Sequence, residues 1–93
     1  MGIKRSISSG ILNNSETVFE EEGFLNGAIF TGGSVDGKVT FYDSADSDIV
    51  DALEIGFVSQ DVPFFNFAVH CTEGIYAQVE NDADYMVLFS KSI

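Results

Sequence analysis

Basic residues are scarce in this chain. Lys and Arg number 4 among 93 residues, against 15 Asp and Glu, and the net charge is −11. A nucleic-acid-binding protein needs a basic surface to displace the counterions of the phosphates, and this composition provides none. The same negative charge disfavours adhesion to anionic membranes. The composition therefore argues against nucleic acids and membranes as partners.

Cysteine, proline and long apolar runs are scarce too. The single cysteine, Cys71, excludes an internal disulfide and a zinc site built from several thiolates. No apolar run approaches the roughly 20 residues that span a bilayer. Lys4 and Arg5 are not followed by the apolar stretch that a signal peptide requires, so we do not expect one.

Turn residues, by contrast, punctuate the sequence at short and regular intervals. A spacing of roughly 8–12 residues between turns is typical of all-β sandwiches and barrels. We therefore predict an all-β protein, a single small antiparallel β-sandwich of jelly-roll-like character, with about seven or eight strands. Residues 1–12 are predicted to form an extended N-terminal arm or edge strand, and residues 13–93 the sandwich domain.

Residues 49–57 are the most ambiguous segment. Their apolar positions fit a short helix or a strand, and Gly56 and the β-rich surroundings favour a strand.

Two other strands carry apolar residues on both faces. Alternation along residues 62–71 places Phe65 and Phe67 on one face and Phe64 on the other. In the last strand, Met86 and Leu88 lie opposite the apolar residues of the other face. Such a strand is either central in a sandwich or covered by a neighbouring subunit.

Few residues suggest chemistry. His70 and Cys71 are adjacent, and neighbours in a strand point to opposite faces, so they do not form a nucleophile–base pair. Asp43, Asp46 and Asp48 are candidate calcium ligands, but they lack the register of an EF-hand loop, and the favoured interpretation is a solvated turn. We predict no catalytic residues, no cofactor and no enzymatic activity.

Two features indicate contacts with other chains. Lys4 and Arg5 hold half of the basic residues, which suits arm exchange between subunits or docking on an acidic surface, while a frayed terminus is the alternative. The chain has nine Phe, more than the centre of so small a core can hold, so we expect some of them to contact another chain. The alternative is a monomer whose core is simply rich in Phe. The predicted interface residues are Lys4, Arg5 and Ile7 in the arm and Phe64, Phe65 and Phe67 in the aromatic strand.

Several short motifs resemble those of small structural proteins of tailed bacteriophages. Residues 4–12 match a K/R-R-x-x-S-x-G-x-L opening, and a glycine-punctuated strand follows at residues 23–29. Residues 39–43 resemble a V-T-V-Y-D strand, and residues 74–77 a G-I/L-Y-A/V strand before a final aromatic strand. The resemblance covers residues 4–89. The sequence departs from it in the Asp-rich turn after Asp43 and in Phe89, where tyrosine is usual.

This resemblance implies a virion protein without catalytic residues. The expected role is a capsid decoration (cement) protein, made in the host cytoplasm, that binds the outer surface of a phage head and stabilises it. The expected partners are the major capsid protein or another virion protein, and further copies of the chain in a trimer or dimer. The alternatives are a tail, neck or fibre component, or a small calcium- or carbohydrate-binding β-module.

Overall fold

The computed structural model describes residues 6–66 and 68–92, and within them it contains β-strands and no helix. The all-β prediction is therefore confirmed. The nine strands are β1 (Ile7–Leu12), β2 (Glu16–Phe19), β3 (Gly23–Gly33), β4 (Lys38–Asp43), β5 (Leu53–Ser59), β6 (Phe64–Phe65), β7 (Val69–Cys71), β8 (Ile75–Glu80) and β9 (Ala83–Lys91). The count exceeds the predicted seven or eight because the strand expected over residues 62–71 is divided into β6 and β7.

The strands form two antiparallel sheets packed face to face. The five-stranded sheet has the order β1-β9-β3-β6, with β7 also paired to β3. The four-stranded sheet has the order β2-β8-β4-β5. Across the described residues, no helix is long and apolar enough to cross a membrane.

The topology is that of a long hairpin rolled into a sandwich. The tip of this hairpin is the β4–β5 pair. Next to the tip, β3 pairs with β6 and β7. Farther from the tip, β2 pairs with β8, and β1 pairs with β9. Two further pairings, β3 with β9 and β4 with β8, join these hairpin segments into sheets. This nested arrangement is the jelly-roll order, so the predicted jelly-roll character is confirmed.

The core lies between the two sheets and is built on strand alternation. Every second residue of β9, from Ala83 to Phe89, is buried. Phe41 of β4 is fully buried, and its ring makes edge-on contacts with Tyr85 and Phe65 at centroid distances of 6.0 and 6.1 Å. The Tyr85 hydroxyl donates a hydrogen bond of 2.8 Å to the carbonyl of Asn14, which satisfies its polar end. Burial raises the pKa of this phenol well above its usual range.

The segment of residues 49–57 is only partly a strand, and the prediction of a strand over its whole length is wrong. Strand β5 begins at Leu53 and continues to Ser59. The preceding residues turn instead, because the Ala52 amide donates to the Ile49 carbonyl at 3.2 Å. The Asp48 amide likewise donates to Oδ1 of Asp46 at 2.9 Å. Local hydrogen bonds of this kind compete with extended structure.

Candidate functional site

An open, acidic depression lies at the end of β4. Its volume is about 500 Å³. The lining comes from the β4–β5 connection and from the turn between β7 and β8. The acidic members of this lining are Asp43, Asp46, Asp48, Asp51 and Glu73. The structure thus brings the three predicted calcium-ligand candidates into one depression.

Asp43 anchors the turn between β7 and β8. Its Oδ2 accepts hydrogen bonds from the Thr72 amide (3.0 Å) and the Thr72 hydroxyl (3.1 Å). Its Oδ1 accepts from the amides of Glu73 (2.8 Å) and Gly74 (3.3 Å). Burial opposes ionisation of Asp43, but these donors outweigh it and hold the pKa of the carboxyl below its ordinary value. Both oxygens of this carboxylate are therefore already used by the fold.

Asp46 and Asp48 belong to a hydrogen-bonded turn. Besides the contact between Asp46 and the Asp48 amide, the Ser44 hydroxyl donates to the Asp46 carbonyl at 2.8 Å. Within residues 6–66 and 68–92, no group of three or more His, Cys, Asp or Glu side chains is placed to hold a metal ion. The contacts of the loop are those of an Asx-type turn.

His70 and Cys71 point to opposite faces of the five-stranded sheet, as alternation predicts. Cys71 is fully buried, whereas His70 is exposed. Nε2 of His70 lies 2.6 Å from Oε2 of Glu22, and the His70 ring packs on Phe24 at a centroid distance of 5.0 Å. The two side chains therefore share no reaction site.

We expect Cys71 to be nearly inert in the folded protein. Burial, aided by the negative charge of Asp43, raises the pKa of its thiol to about 11, and only the thiolate is nucleophilic. Alkylation by iodoacetamide at pH 8 should be far slower for the native chain than for the chain in urea, as measured by mass spectrometry. A variant with Cys71→Ser and Thr72→Cys, which moves the thiol one residue to an exposed position, should react readily. Equal native and unfolded rates for Cys71 would contradict the assigned burial.

The outer face of the five-stranded sheet carries a row of apolar side chains that crosses four strands. Ile11 pairs with Met86, Met86 with Ile29, and Ile29 with Phe64. Directly paired residues project from the same face of a sheet, so these four side chains lie side by side. The ends of this apolar row are exposed, with Ile11 70% and Phe64 61% accessible, and the two central residues are half-buried.

This outer face is almost free of charge. The strands of the five-stranded sheet contain one carboxylate, Asp84, together with His70 and Lys91. Leu88 and Phe24 extend the apolar surface beside the row, because they alternate with buried neighbours on β9 and β3. By contrast, four carboxylates lie in the strands of the smaller sheet: Glu16, Asp43, Glu54 and Glu80.

The predicted interface residues occupy different places. Phe64 faces outward in the apolar row, whereas Phe65 is paired with the buried Ala28 and packs inward against Phe41. Ile7 is exposed on edge strand β1, opposite Phe89. Lys4, Arg5 and Phe67 lie outside the described residues, so their predicted contacts stay predictions.

Sequence reasoning missed three members of the row, Ile11, Met86 and Ile29, as interface residues. The apolar second face of the last strand was the available signal, since it placed Met86 and Leu88 opposite the core. The lateral neighbours of Met86 follow only from the pairing of β9 with β1 and β3.

No family model, curated protein or solved structure matches this chain. The likeness to phage structural proteins therefore depends on the sequence motifs alone.

Proposed function

We propose that this chain is a non-enzymatic structural protein of a virion, most simply a capsid decoration protein that binds the outer surface of a phage head. The observation that carries the proposal is the apolar row on a nearly uncharged face of an otherwise acidic sandwich. Exposed apolar surface of this kind is a mark of protein–protein contact, and in a virion the partner on this face is either a capsid subunit or a second copy of the chain.

The fold and the size of the chain agree with this role. Jelly-roll sandwiches recur in viral capsid proteins, although they also occur in lectins and cupins, so the fold is support by analogy only. A 93-residue domain is marginally stable, on the order of 5–14 kcal/mol. Binding to a lattice of capsid subunits would stabilise both the chain and the lattice by mass action.

Lys4 and Arg5 supply the second element of the proposal. The rest of the sequence carries 15 Asp and Glu against two lysines, so these two cations are suited to acidic patches on a capsid subunit or on a neighbouring copy. Strand β1 begins two residues after Arg5 and pairs with β9 on both sides of an irregularity between Ser8 and Ile11. Because the basic residues are joined in sequence to a strand of the sandwich, they would tether the protein to an acidic partner.

The test is the copy number of the chain in purified virions of the phage whose genome encodes it, measured by quantitative mass spectrometry. A decoration protein should be present in numbers comparable with the capsid subunits, whereas a neck or tail-tip component should be present in a small fixed number. A count of that second kind would move the chain to the neck or tail. Absence of the chain from virions would overturn the proposal.

The contribution of the basic segment can be measured separately. Lys4→Ala with Arg5→Ala should weaken rebinding of the purified protein to virions that lack it, and this loss should shrink at high salt because exposed charges are screened. This double variant leaves β1 intact, which a deletion of residues 1–10 would not. The control is Lys38→Ala, which removes one cation from the other sheet. Unchanged rebinding by the double variant would remove the segment from the interface.

A further inference from the structure

We propose that two copies of this chain pair through the outer face of the five-stranded sheet, with the apolar row at the centre of a two-fold symmetric interface. The pairing extends the proposed function, because it specifies which face of the protein forms a contact and how many copies associate. It does not require a virion, so it can fail or succeed independently.

Charge distribution identifies a second copy as the occupant of this face. Each copy has a net charge of −11, so two copies repel one another through most of their surfaces. The described strands of the five-stranded sheet hold a single carboxylate, Asp84, and the repulsion is therefore least when these faces meet. A basic partner would instead be drawn to the acidic turns and to the other sheet, where the carboxylates are.

The face is also large enough for a stable dimer. The molecule is a flat slab with extents of 42 × 28 × 17 Å, and its broad sides are the outer faces of the two sheets. A stable protein interface buries about 800 Å² on each partner, and a side of 42 × 28 Å can accommodate it. With strands about 4.8 Å apart, the four residues of the row extend over roughly 14 Å near the middle of that side.

The arrangement of residues is that of an interface core and its rim. Leu88 and Phe24 lie on one side of the row, toward the end of the strands that carries the Glu22–His70 pair, and Asp84 lies on the other side, toward the opposite end. An apolar centre with polar residues around it is the usual anatomy of a protein interface.

Two-fold symmetry follows from having one such face on each copy. In an isologous pair, the row of one copy lies against the same row of the other, so that Ile11 and Phe64 fill space beside their counterparts. Sheets pack face to face about 10 Å apart, a separation that side chains of this size fill. The contact closes at two copies, because the face is then fully used.

The mass of the 93-residue chain in solution tests the pairing. Sedimentation equilibrium over a wide range of concentrations should show reversible conversion from the 10.1 kDa monomer to a species of twice that mass. The Kd should fall when salt is raised, because screening weakens the repulsion between two acidic copies. A chain that stays monomeric, forms trimers, or associates less tightly at high salt would overturn the proposal.

Matched surface variants locate the interface. Ile11→Ser with Phe64→Ser removes both exposed ends of the row and should raise the Kd by about tenfold or more. Val35→Ser with Val50→Ser is the control, since those side chains are 73% and 86% exposed but belong to loops outside this sheet. Urea unfolding should show that both double variants remain folded. An unchanged Kd for the first pair, or an equal rise for the control, would overturn the assignment of the face.

The outcomes separate this proposal from the proposed function. A dimer in solution together with absence from virions would overturn only the virion role. A monomer that is abundant on virions would overturn only the pairing.

Discussion

Replacing Phe41 with alanine should lower the free energy of unfolding by about 3–5 kcal/mol, the usual cost of removing a large buried aromatic side chain. Phe41 has no exposed surface and is in ring contact with Tyr85 and Phe65, which belong to the opposite sheet. The substitution would leave a cavity where the two sheets meet. In a domain of this size the loss would lower Tm by very roughly 15–30 °C, as measured by circular dichroism.

Phe57→Ala is the matched control for this prediction. Phe57 lies on the adjacent strand β5 but faces outward, is 38% exposed, and has the Lys38 ammonium 4.7 Å from its ring centroid. Its removal opens no internal cavity, so the loss should be about 1 kcal/mol. Equal losses for the two variants would mean that Phe41 does not hold the sheets together.

The alternation of side chains along a strand is the sequence signal that best predicts which residues face the core. It placed Phe64 and Phe65 on opposite faces, and the structure has Phe64 outward and Phe65 packed on Phe41. Alternation has the same period in every strand, so it needs no knowledge of the neighbours. The all-β class was also predicted from a local signal, the regular spacing of the turn residues.

Features that depend on residues distant in sequence could not be predicted. The apolar row exists because β9 lies between β1 and β3, and a list of strands does not specify that order. The start of β5 was misplaced because the turn ending at Ala52 is stabilised by backbone and side-chain hydrogen bonds, whereas its apolar residues suggest a strand. Asp43 appeared to be one of several equivalent carboxylates, because the turn that it anchors is 29–31 residues away.

Asp43→Ala should be the most destabilising substitution in the acidic depression, with a loss of about 2–3 kcal/mol in the free energy of unfolding. It removes the acceptor for three backbone amides and one hydroxyl in the turn at residues 72–74. Each donor left without a partner costs on the order of 1 kcal/mol, less where water can replace the lost oxygen. Urea unfolding at neutral pH measures the loss.

Asp51→Ala is the control in the same depression. It removes the same charge from an exposed side chain in the β4–β5 connection. Its effect should lie within about 0.5 kcal/mol of zero, or be slightly stabilising because a negative charge is lost from an acidic surface. A similar loss for both variants would mean that the hydrogen bonds of Asp43 contribute little.

The pH dependence of the free energy of unfolding distinguishes the contribution of the Asp43 hydrogen bonds from the contribution of its packing. Its pKa is lower in the folded chain than the ordinary value of 3.8, so the folded state binds the proton less readily than the unfolded state. The ionised carboxylate therefore contributes its full stabilisation above pH 3.8, and this contribution is lost as the pH falls through the lower, folded pKa. The difference in unfolding free energy between wild type and Asp43→Ala should accordingly shrink below pH 3.8. A difference for Asp43→Ala that is independent of pH in this range would assign its role to packing, because packing does not depend on the charge of the carboxyl group.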